Sequence, residues 1–398
     1  MQGFRRAEIL VYPLLFTLLA AAGTNLTDFA HGFGVDGRMY AAIAYPGLYP
    51  EAFRLQAPWC WRLLSPMLVS LLPLPPLRAF LAANLAASYA AAVLLLFIGA
   101  RMKFNRRTML LLPALYTTIF WTVRWGAYTP PYIDSHTQVF MLAAILAALH
   151  GRLWMVCALL FLGVLQKESV LFVAPVAAVI VWSSTREVKR SYLWLFLFLL
   201  CGLAAYALPR IFITPVNEYS PEAALRVTFA RKMTSLRFWE SLPASLFSGL
   251  GFSLVLTLFE WRRAVEFFRK EPWIGAMIAL GIVQLFAGWD TARICLAFLP
   301  AMVLSGAFLC GRIIERRSRS EALLVIGLAF GIQAGYSLFL SSVPGYQAFM
   351  TLFCPDTALG SLRFTYRHLA PWLSGAVALA LYLSVSPSAA ADQKGERG

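Results

Sequence analysis

The feature that most constrains this chain is a series of apolar blocks, each about as long as a membrane-crossing helix, separated by short polar segments. A helix needs about 20 apolar residues to cross ~30 Å of hydrocarbon. Only 13% of the 398 residues are charged, whereas soluble proteins have about 25%. The pattern therefore predicts an all-α, polytopic transmembrane helical bundle that forms a single domain over residues 1–398.

Basic side chains occur in short clusters beside the apolar blocks, and these clusters predict the topology. A formal net charge of +15 invites a nucleic-acid interpretation, but the positions of Lys and Arg follow the positive-inside rule instead. We therefore expect membrane lipids as partners and no nucleic acid. Placing the clusters in the cytoplasm gives about twelve spans, with both termini inside. The predicted spans are 8–23, 78–99, 108–124, 135–149, 153–166, 169–183, 191–208, 242–259, 272–288, 294–311, 321–340 and 371–386.

The long segments between these spans fall on the non-cytoplasmic side. In one of them, Ser220-Pro221-Glu222 indicates a helix start, and apolar residues follow it at helical spacing. This predicts an amphipathic helix on the outer leaflet. A second interfacial or re-entrant helix is expected within 62–72. The outside loops are 24–77, 209–241 and 341–370, and 387–398 is a cytoplasmic tail.

Two of the six cysteines, Cys60 and Cys354, fall in loops on the same predicted face. Sequence alone does not determine disulfide geometry, so a bridge and two free thiols both remain open. The other four lie in apolar blocks, where a thiol behaves as a small apolar side chain.

A charged pair interrupts the apolar stretch 153–183. If this stretch were one helix, the basic cluster that follows it would lie outside, so the topology requires a hairpin that turns at Lys167 and Glu168. Each arm has about 14 residues and spans only ~21 Å, so we expect the turn to lie in a cavity below the outer surface. Ionisable residues within a membrane are costly and are functional by default. The alternative is a salt bridge between the two that only locks the hairpin.

The first outside loop contains several candidate polar residues. Asp36 and Tyr40 are four residues apart and share a face if Asp36 begins a helix. Asp36 is alternatively only an N-cap. Asp28 and His31 precede it, and together with Asp36 they are suitable ligand types for a divalent cation, although their spacing is loose. The metal therefore stays unknown.

A second acid–base pair, Asp290 and Arg293, lies in a short turn between two predicted spans. Two residues three positions apart at a helix start can form a simple surface ion pair worth under ~1 kcal/mol. However, a short turn stays close to the membrane, where arginine is suited to binding a phosphate with two hydrogen bonds.

The chain contains the short motifs Asp36-x-x-x-Tyr40; Pro58, Arg62 and Pro66; Lys167-Glu168 followed by Pro175; and Asp290, Arg293 and Pro300. In these motifs it resembles bacterial members of the GT-C superfamily of glycosyltransferases. The resemblance implies a multi-span enzyme, in the bacterial inner membrane, that uses a polyprenyl-phosphate sugar and acts outside the cytoplasm with an acidic residue of its first loop. Seven residues separate Asp28 from Asp36, so the adjacent acidic pair of some members is absent and both remain candidates.

The chemistry of such a transfer assigns a role to each candidate. A carboxylate must take the proton of the acceptor hydroxyl, with Asp36 as first candidate and Asp28 or Glu168 as second. The leaving phosphate needs cations around it more than it needs a general acid. Single displacement with inversion is expected, and the acceptor is a glycan, a lipid or a protein. The donor-phosphate candidates are Arg293, Lys167, Arg62 and Arg38, and the substrate-positioning candidates are Tyr40, Asp290 and His31.

Three other functions remain open. A transporter also has about twelve spans and broken helices with charged residues, but the two halves of this chain are not similar and its long loops are outside. A polymerase or ligase of lipid-linked glycans would use basic residues of a late outside loop. A non-catalytic membrane scaffold would need none of the charged candidates.

Overall fold

A computed structural model of the chain describes residues 6–34, 36–286, 288, 290–315, 318–343 and 362–384. Within these residues every regular element is helical and no strand occurs. This confirms the prediction of an all-α fold for that part of the chain. The predicted tail 387–398, most of the loop 341–370 and Cys354 lie outside the described residues, so the question of a Cys60–Cys354 disulfide stays open.

The helices are numbered in chain order, and short 3₁₀ or π turns join several of them. They are α1 (Arg6–Ala21), α2 (Gly37–Ala44), α3 (Glu51–Arg54), α4 (Leu64–Ser70), α5 (Pro76–Arg101), α6 (Arg106–Thr117), α7 (Trp125–Tyr128), α8 (Asp134–Leu149), α9 (Leu153–Gln166), α10 (Val173–Thr185), α11 (Val188–Phe212), α12 (Pro221–Thr234), α13 (Leu236–Leu250), α14 (Phe252–Phe259), α15 (Trp261–Lys270), α16 (Pro272–Gln284), α17 (Thr291–Ile294), α18 (Leu299–Glu315), α19 (Arg319–Ser341) and α20 (Leu362–Ser384).

Among the described residues, four helical segments are long and apolar enough to cross a membrane: Pro76–Arg101, Glu168–Thr185, Val188–Phe212 and Leu323–Ser341. The number rises to six if each of two bent pairs is one span. The pair α13–α14 bends by 110°, and the pair Thr291–Ala297 with α18 bends by 74°. Four further apolar helices, in α1, α8, α9 and α16, are shorter. A helix occupies each predicted span position, but length and composition identify only four to six as membrane-crossing.

The helix starts follow the local sequence signals. Ser220 accepts a hydrogen bond from the backbone of Ala223 at 3.2 Å and caps α12, as Ser220-Pro221-Glu222 predicts. The chain also begins α13 at Leu236, earlier than the expected 242, because Ser235 caps this helix through the backbone of Phe238. The segment 209–241, a predicted outside loop, is therefore helical except at 213–220 and at Ser235.

Two buried amides hold the irregular segments at one end of the bundle. Gln166, the last residue of α9, accepts hydrogen bonds from the backbone N–H and the hydroxyl of Ser65 at 2.9 and 2.6 Å. Its own amide nitrogen donates to the carbonyl of Ile133 at 3.2 Å. Asn84 of α5 donates to two carbonyls of the 130–132 segment. These bonds satisfy backbone groups that helices leave unpaired at their ends, and they bring the ends of α4, α8 and α9 together.

Candidate functional site

A cavity of about 470 Å³ lies where these helix ends meet. Its walls come from the segment before α4, from α8, from the α9–α10 break, from α11 and from the turn before α17. Four cations and three carboxylates line it, which is a high density of charge for a protein with so few charged residues. They are Arg62, Lys167, Arg210 and Arg293, with Asp134, Glu168 and Asp290.

Lys167 and Asp134 form the innermost ion pair. The α9 helix ends at Gln166, and the extended backbone of Lys167 (φ −164°, ψ 131°) turns its side chain out of the helical path. Its ammonium nitrogen lies 2.5 Å from Oδ1 of Asp134, whose side chain is only 7% exposed. Burying a charge is costly unless it is paired, so each of these two residues makes the burial of the other tolerable.

Glu168 pairs with Arg62 rather than with its neighbour Lys167. The Nε and Nη2 atoms of Arg62 donate to the two carboxylate oxygens at 2.8 and 3.0 Å, which is a bidentate arrangement. The third nitrogen donates to the hydroxyl of Tyr40 at 2.9 Å. Burial raises the pKa of Tyr40 to about 12, so this phenol stays neutral beside the guanidinium. The alternative of a Lys167–Glu168 salt bridge that only locks the hairpin is therefore wrong.

Arg293 joins the first loop to this cluster. Its Nη1 lies 3.6 Å from Oδ2 of Asp36, and its Nε lies 3.6 Å from Oδ2 of Asp134. The guanidinium carbon is 5.2 Å from the centre of the Tyr132 ring, within the range of a cation–π contact. The backbone N–H of Asp36 donates to the Tyr132 hydroxyl at 3.4 Å. Asp36 does not itself line the cavity, but it contacts a residue that does.

Asp36 and Asp290 both stand at helix starts, yet their side chains act differently. Asp36 occupies the N-cap position of α2, but its side chain makes no capping hydrogen bond. The alternative that Asp36 is only an N-cap is therefore wrong. Asp290 does cap α17, since its Oδ1 accepts from the backbone N–H of Arg293 at 3.2 Å. This bond orients the start of the helix that presents Arg293 to the cavity.

Five of the predicted site residues do not line the cavity. Asp36 and Tyr40 contact the lining residues Arg293 and Arg62, and the other three are Asp28, His31 and Arg38. A tight turn separates Asp28 from Asp36, with positive φ at His31 (54°) and at two glycines, and both Asp28 and His31 are exposed. The guanidinium of Arg38 instead stacks at 5.2 Å from the ring of Phe53. Within the described part of the chain, no group of three or more His, Cys, Asp and Glu could hold a metal ion, so Asp28, His31 and Asp36 do not form one.

Two cavity residues, Asp134 and Arg210, were missed by the sequence analysis. Asp134 lies shortly after the Pro130-Pro131 pair and immediately precedes the predicted span 135–149, so the predicted spans leave it in the connecting segment. Arg210 follows the span 191–208, where a basic residue is an ordinary interfacial anchor. An acidic residue at the edge of an apolar block could have marked Asp134 as functional, but the sequence around Arg210 contains no such signal.

Comparison with known proteins gave no match, whether to a family model, to a curated protein or to a solved structure. The class of protein is therefore described from its fold and its cavity alone. The chain is an all-helical protein whose apolar helices indicate a membrane location, with a charged cavity at one end of its bundle.

Proposed function

We propose that this protein is a polytopic membrane glycosyltransferase of the GT-C type. It transfers a sugar from a polyprenyl-phosphate donor to an acceptor hydroxyl on the non-cytoplasmic face, and Asp36 is the general base. The observation that supports this most directly is the meeting of Asp36, Arg62, Lys167 and Arg293 in one connected cluster of ion pairs and hydrogen bonds around one cavity.

The proposal includes about twelve spans in the bacterial inner membrane, with both termini in the cytoplasm. Contacts between helix ends support this alternation. Arg106 at the start of α6 lies 2.6 Å from Glu8 of α1, and Arg101 at the end of α5 donates to the carbonyl of Leu149 at 3.2 Å. These ends are all predicted to be cytoplasmic, whereas the cavity lies where predicted outer ends meet. The amphipathic helix α12 would then lie at the outer leaflet.

The donor phosphate would bind at Arg293 and Lys167. An apolar groove of about 650 Å³, between α12 and the end of α16, lies beside this position. Leu225 lines both the groove and the cavity, so an apolar chain in the groove would lead its head group to the charged cluster. The buried amine of Lys232 holds α12 here, since it donates to the carbonyl of Leu285 and the hydroxyl of Thr291 at 2.8 and 2.9 Å. This groove is the proposed site of the polyprenyl chain.

The contacts of the carboxylates favour Asp36 as the base. Asp134 is paired with two cations, and Glu168 is held by both nitrogens of the Arg62 fork. Among the described residues, the Asp36 carboxylate makes one ion pair, with Arg293 at 3.6 Å, and its side chain is 20% exposed. A general base must come within hydrogen-bonding distance of the proton that it removes. Of these three carboxylates, Asp36 makes the weakest ion pair, so it would lose the least stabilisation in reaching that proton.

The reaction then requires one bond to form as another breaks. Asp36 takes the proton of the acceptor hydroxyl, whose oxygen attacks the anomeric carbon of the sugar. The bond from that carbon to the phosphate oxygen breaks, and the phosphate leaves with the electron pair. Arg293 and Lys167 stabilise the charge that develops on the leaving oxygen. Attack opposite the leaving group inverts the anomeric configuration.

Asp36→Asn tests the assignment of the base. We expect transfer from a polyprenyl-phosphate sugar in membranes to fall by at least a hundredfold, because general-base catalysis contributes about 10²–10⁴-fold. The matched control is Asp28→Asn in the same loop, which should keep most of the activity because Asp28 lies away from the cavity. Full activity in a well-expressed Asp36→Asn variant would remove this residue from the role.

A transporter is the alternative from another class, because the charged cluster lies at the broken α9–α10 helix and such breaks line substrate sites in carriers. Uptake of a sugar phosphate into proteoliposomes without any sugar transfer would favour it. Transfer without uptake would favour the enzyme.

A further inference from the structure

A second apolar groove, of about 300 Å³, adjoins the cavity on the Arg62 side. Arg62 lines the cavity, and the next residue, Leu63, lines this groove. In the same way Arg210 lines the cavity and the preceding Pro209 lines the groove. The groove is formed by the start of α4, the end of α9 and the end of α11, through Leu63, Leu64, Met67, Leu165, Leu208 and Phe212.

The side chain of Arg210 stands at this junction and differs from the other cations of the cavity. Arg62, Lys167 and Arg293 each pair with a carboxylate. Among the described residues no carboxylate lies within ion-pair distance of Arg210, and its Nε has no hydrogen-bond partner. Its guanidinium carbon lies 4.0 Å from the ring centre of Trp61 and 3.4 Å from that of Tyr206.

The two aromatic rings hold the Arg210 guanidinium in place without neutralising it. Its Nη1 donates to the carbonyl of Tyr206 at 2.6 Å and its Nε is buried, so the Nη1–Nη2 edge is the part of the guanidinium that remains for a ligand. A guanidinium in this state is suited to a phosphate, which accepts two hydrogen bonds from its planar fork.

The surface around the groove is apolar as well. Met67, Leu71, Ile211 and Phe212 are each more than half exposed, in a continuation of α4 and α11. A patch of this kind is unfavourable in water and normal against lipid chains. The second groove therefore combines an apolar channel with an unpaired cation at its inner end, which is the pattern of a lipid with an anionic head group.

We propose that the second groove binds the acceptor of the transfer and that this acceptor is a lipid with a phosphate head group. The acyl or prenyl chains would lie in the groove, and the phosphate would bind Arg210. The assignment as acceptor rests on the proposed function, whereas the binding site itself does not.

The contacts around the cavity explain why the two grooves would serve different substrates. Leu63 of the second groove is adjacent in sequence to Arg62 of the cavity. Arg62 donates a hydrogen bond to the hydroxyl of Tyr40, which lies one helical turn from Asp36. From the first groove, the end of α16 leads to the Asp290–Arg293 turn. An acceptor in the second groove would therefore approach the base, while a donor in the first groove would approach the phosphate-binding cation.

Photo-crosslinking in nanodiscs tests the site independently of any transfer. The probes are phosphatidic acid with a diazirine in one acyl chain and diacylglycerol with the same chain. We expect the phosphatidic acid to label peptides of α4 and the end of α11, and Arg210→Gln to reduce this labelling about tenfold, as the loss of one charge-assisted contact implies. Arg190→Gln, at the opposite end of the same helix, is the matched control and should leave labelling unchanged.

Equal labelling by diacylglycerol, labelling insensitive to Arg210→Gln, or no labelling of these peptides would each overturn the proposed site, because annular lipid alone would then account for the groove.

The role as acceptor is tested with transfer assays on the same variants. Arg210→Gln should slow transfer to a lipid-phosphate acceptor several-fold more than transfer to a short-chain soluble glycoside. An equal effect on both acceptors would refute the acceptor role while leaving the glycosyltransferase proposal intact. Transfer to neither acceptor by the unaltered protein would refute the proposed function and with it the acceptor role, but the crosslinking result would still decide the site.

Discussion

Asp134 connects two of the four cationic side chains of the cavity, Lys167 and Arg293. One of its oxygens pairs with Lys167 and the other with Arg293, and these partners come from different breaks in the helical bundle. Because the carboxylate is almost fully buried, its charge is acceptable only with both partners present. We therefore assign Asp134 to positioning rather than to proton transfer.

Replacing Asp134 with Asn tests this dependence. The variant leaves the Lys167 ammonium buried without a counter-charge, and we expect it to lose about 3–5 kcal/mol of stability, the usual cost of breaking a buried pair. Thermal unfolding in detergent measures the loss. The double variant Asp134→Leu, Lys167→Met should recover much of it while activity stays absent. A single variant as stable as the double one would contradict the pairing.

Arg62 offers a comparison with an exposed ion pair of the same chemistry. In Arg62→Lys the bidentate bond to Glu168 and the bond to Tyr40 cannot both be kept, because lysine lacks the planar fork. We expect a loss of about 1–3 kcal/mol. Arg54→Lys, which alters the exposed pair with Glu51, should change stability by less than ~1 kcal/mol. Equal shifts of the melting temperature in the two variants would count against a special role for Arg62.

At the scale of the elements, the site depends on helices that stop or bend inside the apolar region. The α9 helix ends at Gln166, and α13 and α14 meet at an angle of 110°. At that bend Gly251 has φ +58°, and Gln333 accepts a hydrogen bond from the backbone of Phe252 at 2.9 Å. The Gln333 amide also donates to the carbonyl of Leu115 at 2.7 Å. Such bonds satisfy backbone groups that would otherwise be unpaired in lipid.

Gly251→Ala tests the bend between α13 and α14. A Cβ there would overlap Oε1 of Gln333. The backbone of Gly251 (φ 58°, ψ −145°) also lies in a region that essentially only glycine adopts, which adds about 1–3 kcal/mol for another residue. We expect a clearly lower melting temperature. Gly327→Ala is the control, since this glycine lies within α19 and no atom would be within 4 Å of its added Cβ. That variant should be as stable as the parent or slightly more stable. Similar destabilisation in both would show that the bend is not the cause.

At the scale of the whole molecule, the proposed topology separates a basic end of the bundle from the end with the cavity. The contacts of Arg106 with Glu8 and of Arg101 with Leu149 lie at one end. The pairs of Arg62, Lys167 and Arg293 lie where other helix ends meet. A catalytic site facing away from the cytoplasm requires that these two groups lie on opposite sides of the bilayer.

Cysteine labelling tests this arrangement. With the native cysteines replaced, Glu51→Cys should react with a membrane-impermeant maleimide in intact spheroplasts, because its exposed side chain lies in the loop 24–77 that is predicted to be outside. Lys103→Cys, exposed in the segment between α5 and α6, should react only after permeabilisation. The reverse pattern would invert the topology and exclude a non-cytoplasmic active site.

The sequence by itself determined the helical class, a helix at each predicted span position, the start of α12 at Ser220-Pro221 and the break at Lys167-Glu168, but not the short helices α3, α7 and α15. These follow from local rules: apolar blocks form helices, caps begin them, and charged residues interrupt them. Only the tertiary structure decided which candidates meet. Arg62 and Glu168 are 106 positions apart, and no local pattern predicts their pairing or separates Asp36 from Asp28, His31 and Arg38. A buried charge is stable only beside its partner, and that partner is chosen by how distant helices pack.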